Sequence, residues 1–212
     1  RVAASSAVRV CLCTRMAVML VERYGPVRTK VLSNAAYYRS GDKPLPISSK
    51  QPMRIGQLGN LSIEKGLDVV VGLAEFLIQS GVSVQLMLAG PAANQRAAML
   101  QHEARKRLGS SLTEFGGLYG AKKEQFFDSL DLFIFPTRYI NEAEPLVVFE
   151  ALSHGLPVIA FDRGCIAEQV GDAGLVVKPD ADFVECEAAL ITAWSSDREA
   201  HAAMRTCAVS TS

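Results

Sequence analysis

The 212 residues are 49% hydrophobic and 21% charged, the balance of an ordinary globular protein with enough chain for one good core, alone or beside a fragment of a second domain. Twenty-two basic residues against twenty-two acidic ones leave no net charge, so nothing points to a nucleic-acid partner or an anionic membrane surface.

The chain opens on Arg1, as a fragment would, and runs into "AVRVCLCTRMAVMLVERYG". Arg9, Arg15 and Glu22 interrupt that stretch too often for a membrane span, and it lacks the layout of a signal peptide. It reads instead as a strand over 8–13 and a helix over 14–25, followed by a second strand, "TKVLSN", over 29–34. Cys11 and Cys13 fall on one face of the first strand. Without CxxC spacing they read as neighbouring buried thiols rather than a metal or redox pair. The other cysteines (Cys165, Cys186, Cys207) and the histidines (His102, His154, His201) are scattered, so no zinc framework emerges. A reducing, cytoplasmic setting is the expectation.

"SGDKPLPISSKQP" (40–52) then breaks the rhythm with prolines and serines and no apolar run, which marks a linker. Beyond it, strands are expected at 53–59, 83–90, within "LTEFGG", and at 131–136, 156–161 and 173–177. Helices are expected at 64–81 and 93–109, within "AKKEQFFDSL", in "PLVVFEALSHG", and as one helical tail from "DFVECEAAL" onward. Strands that alternate with helices, several of them apolar throughout, describe an α/β fold with a doubly wound, Rossmann-like parallel sheet covered on both faces. That fold is assigned to residues 53–212. Residues 1–39 form a βαβ piece of another domain, because one such unit cannot bury both its faces.

Ligands of open parallel sheets bind at the carboxyl ends of the strands, where loops enter helix N-termini. Four such loops stand out. In "GNLSIEKG" (59–66), Gly59 permits a tight turn and Lys65 opens a helix against its dipole, a conflict that an anionic ligand would resolve. A solvated lysine with Gly66 packed on the sheet explains the same letters. The order Lys65-Gly66-Leu67 excludes a Walker A loop. "GPAAN" (90–94) is a weak signal, and "FGGLYG" (115–120) either lets a flat group approach backbone amides or is a plain turn. The fourth loop is "EAEPLVVFEALSHG" (142–155), where Pro145 suits a first helical turn and the amides of Leu146 and Val147 are open to a phosphate. Glu150 stands among apolar neighbours and can accept two bonds from vicinal hydroxyls, or can simply face solvent.

Together these stretches resemble the C-terminal half of the retaining nucleotide-sugar glycosyltransferases of family 4 (group 1), which have the GT-B fold. "EAEPLVVFEALSHGLPVIAFDRG" carries the family's two glutamates with seven residues between them, then a turn and an apolar strand. "GNLSIEKG", "EFGGLYG", "DLFIFPTR" and "EQVGDAGLVV" follow the family's order over nearly the whole chain. The resemblance implies that Lys65 holds the donor's diphosphate, Glu150 the ribose hydroxyls and Glu142 the transferred sugar, with Lys65 and Glu142 as the catalytic pair. Amides near Leu146 and Val147 would touch phosphate, Gly59 and Asn60 would border the donor, and the segment at Leu118 and Tyr119 would meet the base through its backbone.

Two departures are visible. The family's phosphate-binding arginine is Asn60 here, which removes a bidentate cation. Its glycine-aromatic-glycine after the first glutamate is Ala143-Glu144-Pro145, which removes an amide and adds negative charge near a diphosphate. Residues 1–34 resemble only the last βαβ of the family's N-terminal, acceptor-side domain.

The implied activity is transfer of a sugar from an NDP-sugar to an acceptor hydroxyl, without metal or other cofactor, since lysines and helix dipoles stabilise the leaving diphosphate. The acceptor (glycan, lipid or small molecule) is not legible, and peripheral membrane association of a full-length protein stays open. The alternative is a non-catalytic nucleotide-binding or regulatory module of the same fold. A sugar-nucleotide isomerase or phosphorylase is a third reading, weakened because no lysine-anchored cofactor site or second phosphate site is evident. A Rossmann dehydrogenase is disfavoured because no GxGxxG follows a strand.

Overall fold

The computed structural model describes residues 7–37, 52–179 and 183–211. The expected linker at 40–52 lies outside them except for Pro52.

The chain begins with β1 (Arg9–Cys11), α1 (Thr14–Tyr24) and β2 (Thr29–Val31), and a short 3-10 turn follows at Asn34–Tyr37. β1 and β2 pair in parallel as a two-stranded sheet of their own, with Val10, Val18, Met19 and Leu32 exposed.

After the linker come β3 (Met53–Leu58), α2 (Leu67–Gln79), β4 (Val84–Ala89), α3 (Gln95–Leu108), β5 (Leu112–Glu114), α4 (Ala121–Asp128) and β6 (Leu132–Phe135). The chain continues with α5 (Leu146–Ser153), β7 (Val158–Phe161), α6 (Ile166–Val170), β8 (Gly174–Val177), α7 (Phe183–Ser196) and α8 (Arg198–Thr211). Six parallel strands run in the order β5-β4-β3-β6-β7-β8. Residues alternate between the two faces along each strand. Ile55, Leu86, Leu132 and Ile159 therefore pack with α2, α3 and α7 on one side. Met87, Phe133, Phe135 and Val158 pack with α4, α5, α6 and α8 on the other. This is the doubly wound, Rossmann-like α/β fold expected from the apolar strands.

The first three strands of this sheet step in one direction from β3, and the next three step in the other. The reversal leaves a crevice above the carboxyl ends of β3 and β6, where ligands of such folds bind.

Several boundaries move for local reasons. α2 starts three residues later than expected, after Gly66 adopts a left-handed φ of 79°. The expected single tail helix is two, because the chain breaks at Asp197, whose side chain caps the amides of Glu199 and Ala200. α6 was not anticipated.

The cysteine reading is corrected. Cys13 is bonded to Cys165, 152 positions away, with a Cα–Cα separation of 5.8 Å, while Cys11 remains a buried thiol. Sequence spacing could not reveal a partner that only the fold brings near. The same seam holds polar contacts: Glu168 accepts from the amides of Thr14 and Arg15 at 3.0 and 2.7 Å, which caps α1, and Arg15 pairs with Asp162.

Candidate functional site

The loop after β3 is shaped by its neighbours. A Cβ at Gly66 would overlap the carbonyl oxygen of Pro136, so a glycine is needed where the β3 and β6 loops cross. The Gln57 amide donates to the Lys65 carbonyl at 2.7 Å, and the Ser62 hydroxyl accepts from the Lys65 amide at 3.1 Å. Both bonds fix the backbone of Lys65 at the mouth of the crevice. Its ammonium reaches across to Glu142 and lies 5.6 and 5.1 Å from the rings of Phe135 and Tyr139. Thr137 donates to Glu142 at 3.0 Å from the other side. The acid is therefore oriented by two groups, both on loops that leave neighbouring strands.

Pro145 takes the N-cap position of α5 (φ −66°, ψ 121°) and not its first turn, so the helix begins at Leu146. The amides of Leu146 and Val147 then fall in the first turn, where no intrahelical acceptor exists. Glu150 stands in the second turn with its side chain 21% exposed, and Lys123 of α4 donates to it at 2.5 Å. It faces the crevice rather than open solvent.

Glu144 overturns one expectation. It is buried and points away from the crevice, accepting from the Ser33 hydroxyl and the Asn34 amide at 2.7 Å each. Its charge is consumed at the seam with the first 37 residues. The loop that carries Glu142 is held further along as well. Cys165 donates its amide to the Ala143 carbonyl at 2.7 Å, and a Cβ at Gly164 would overlap the carbonyls of Glu142 and Ala143.

Two cavities meet here. One of about 460 Å³ is lined by Gly59, Asn60, Lys65, Glu142, Leu146, Val147 and Glu150, among others. The second, of about 380 Å³, shares Gly59 and Asn60 with it and extends to Leu118 and Tyr119. Every site residue expected from the sequence thus borders one of two contiguous spaces, with Tyr119 itself largely exposed. Sequence reasoning missed Gln57, Thr137 and Lys123. Lys123 was within reach, since a lysine in the first turn of a helix raises the same conflict with the dipole that singled out Lys65. Among the described residues, no cluster of His, Cys, Asp and Glu is arranged to hold a metal ion, and no helix is long and apolar enough to cross a membrane.

Solved structures with this fold include TarM, with a TM-score of 0.76 at 16% identity over 95% of this chain and 39% of that one. HepE from Anabaena, solved in complex with UDP, gives 0.72 at 20% identity, over 95% of this chain and 57% of that one. Sucrose-phosphate synthase from Thermosynechococcus elongatus gives 0.71 at 16% identity, over 98% of this chain and 53% of that one. At such identities the likeness speaks for the fold alone, of the Rossmann-like, GT-B kind, and the chain spans only about 39–57% of these structures. No curated protein sequence matches. The family model for glycosyl transferases group 1 matches residues 43–208, well over half of the sequence, and the chain belongs to that family.

Proposed function

We propose that this chain is the nucleotide-sugar-binding part of a retaining glycosyltransferase. In this assignment residues 53–212 are the donor domain, 40–52 a linker and 1–39 the end of an acceptor-side domain. One observation carries the proposal: Lys65, Glu142, Glu150 and the first turn of α5 converge on one crevice at the strand-order reversal. The apolar surface exposed on β1, α1 and β2 is what the remainder of an acceptor-side sheet would cover.

A diphosphate between Lys65 and the first-turn amides of α5 would have its charge met by an ammonium and a helix dipole, so departure of the nucleoside diphosphate needs no divalent cation. Glu142, oriented by Lys65 and Thr137, would accept from hydroxyls of the sugar. Glu150 would accept from the ribose pair, and the backbone at Leu118 and Tyr119 would border the base.

The acceptor, a glycan, lipid or small molecule, would enter from the side of the first 39 residues. Peripheral contact with a membrane would be made by parts beyond this chain. A cytoplasmic place would expose the Cys13–Cys165 bond to reducing thiols, whereas an oxidising compartment would keep it closed.

Calorimetry with UDP-, GDP- and ADP-sugars tests the reading. Uridine nucleotides come first because HepE was solved with UDP. One of the three should bind, and binding by none of them would overturn the proposal. Asn60, which supplies no guanidinium, and Pro145, which supplies no backbone amide, favour a second reading, a module that binds the nucleotide without transfer. Sugar transfer by the chain joined to an acceptor-side domain separates the two. The isolated chain should bind donor without efficient transfer.

A further inference from the structure

Asn60 stands exposed at the seam of the two cavities, where it offers an amide and no charge. Among the described residues, Lys65 and Lys123 are the basic side chains that line either cavity, and Lys123 lines both. Lys123 comes from the opposite wall, in the first turn of α4, with its side chain 25% exposed. Its ammonium bonds Oε1 of Glu150, while Oε2 has no hydrogen-bond partner among the described residues. The crevice therefore holds two parallel lysine–glutamate pairs, Lys65 with Glu142 and Lys123 with Glu150. Both lysine side chains stay partly open to solvent, Lys65 at 30% and Lys123 at 25% exposure.

We propose that Lys123 is a second phosphate-binding cation, supplied from α4 where position 60 supplies none. The proposal rests on the nucleotide-sugar reading above. Lys65 is paired with the acid assigned to the sugar, so it faces the phosphate next to the sugar. Lys123 is paired with the acid assigned to the ribose and opens onto the cavity bordered by Gly117, Leu118 and Tyr119, so it faces the phosphate next to the nucleoside. The two ammonium groups divide a diphosphate between them.

Titration with uridine, UMP and UDP, alongside the guanosine and adenosine series, separates the two contacts. Lys123→Met should weaken the mono- and diphosphate alike by roughly 5- to 30-fold, the range of a partly exposed charge-assisted bond, and leave the nucleoside almost unaffected. The loss should shrink as salt rises, and Lys123→Arg should restore most of the affinity. Lys65→Met should weaken the diphosphate and spare the monophosphate. A Lys123→Met protein that binds monophosphate as the wild type does, or loses nucleoside and monophosphate affinity equally, overturns the proposal, because Lys123 would then only hold Glu150. If the wild type binds no nucleotide, the donor-binding reading fails and takes this one with it. Wild-type binding with an unchanged Lys123→Met profile sinks this inference alone.

Discussion

Glu142 and Glu150 are alike in chemistry and eight positions apart, yet the fold gives them different partners. Glu142 meets Lys65 and Thr137, whereas Glu150 meets Lys123. Different partners predict separable losses. Glu150→Ala should weaken nucleoside diphosphate binding by about 1.5–3 kcal/mol, the scale of hydrogen bonds to a charged group, and should hardly affect a 2′,3′-dideoxy nucleotide. Glu142→Ala should spare the free diphosphate and weaken only the sugar-bearing donor. Equal effects of both changes on both ligands, read by calorimetry, would refute that division of labour. Glu144 shows where sequence alone misled. Its position two residues after Glu142 placed it beside the expected diphosphate, but the backbone turns it to the seam with Ser33 and Asn34.

At the scale of elements, α2 depends on Gly66 and α7 carries a buried acid. Gly66→Ala combines a left-handed φ with overlap onto the Pro136 backbone. It should cost roughly 2–4 kcal/mol in denaturant unfolding and displace Lys65, so donor affinity should fall as well. Glu187 in α7 is fully buried, and among the described residues neither carboxylate oxygen has a hydrogen-bond partner. Burial raises its pKa from the ordinary 4.5 to about 7. The folded chain thus keeps a proton that the unfolded chain gives up. The associated stability is complete below pH 4.5 and is lost as pH rises through about 7. Glu187→Gln should flatten the stability profile between pH 5 and 8 by no more than about 3 kcal/mol, with its largest benefit at the alkaline end. Melting curves of variant and wild type that stay parallel across that range would count against the protonated state. The break between α7 and α8 falls at Ser195-Ser196-Asp197, cap-type residues that signal a helix start in the sequence, and Asp197 accepts from the amides of Glu199 and Ala200.

For the molecule as a whole, the Cys13–Cys165 bond joins the first 37 residues to the loop behind Glu142. It closes a long loop, so Cys13→Ser or reduction should lower stability by roughly 2–4 kcal/mol. The bond shares its seam with the Glu144 and Glu168 contacts, and cleavage by protease within residues 7–37 should accelerate once it opens. Unchanged melting temperature and cleavage on reduction would show that the polar contacts suffice.

The alternation of apolar runs with helical patterns determined the doubly wound sheet, because strands covered on both faces leave a continuous apolar signature in the chain. The loops that leave strand ends toward helix N-termini likewise marked where a crevice could lie, since strand ends fix which loops meet, and the family resemblance singled out Lys65, Glu142 and Glu150 among them. Pairings across the fold were decided elsewhere. Lys123 with Glu150, Glu144 with Ser33, and Cys13 with Cys165 join residues 27, 111 and 152 positions apart. Such partners carry no local periodicity, and only the packing of separate elements brings them within reach.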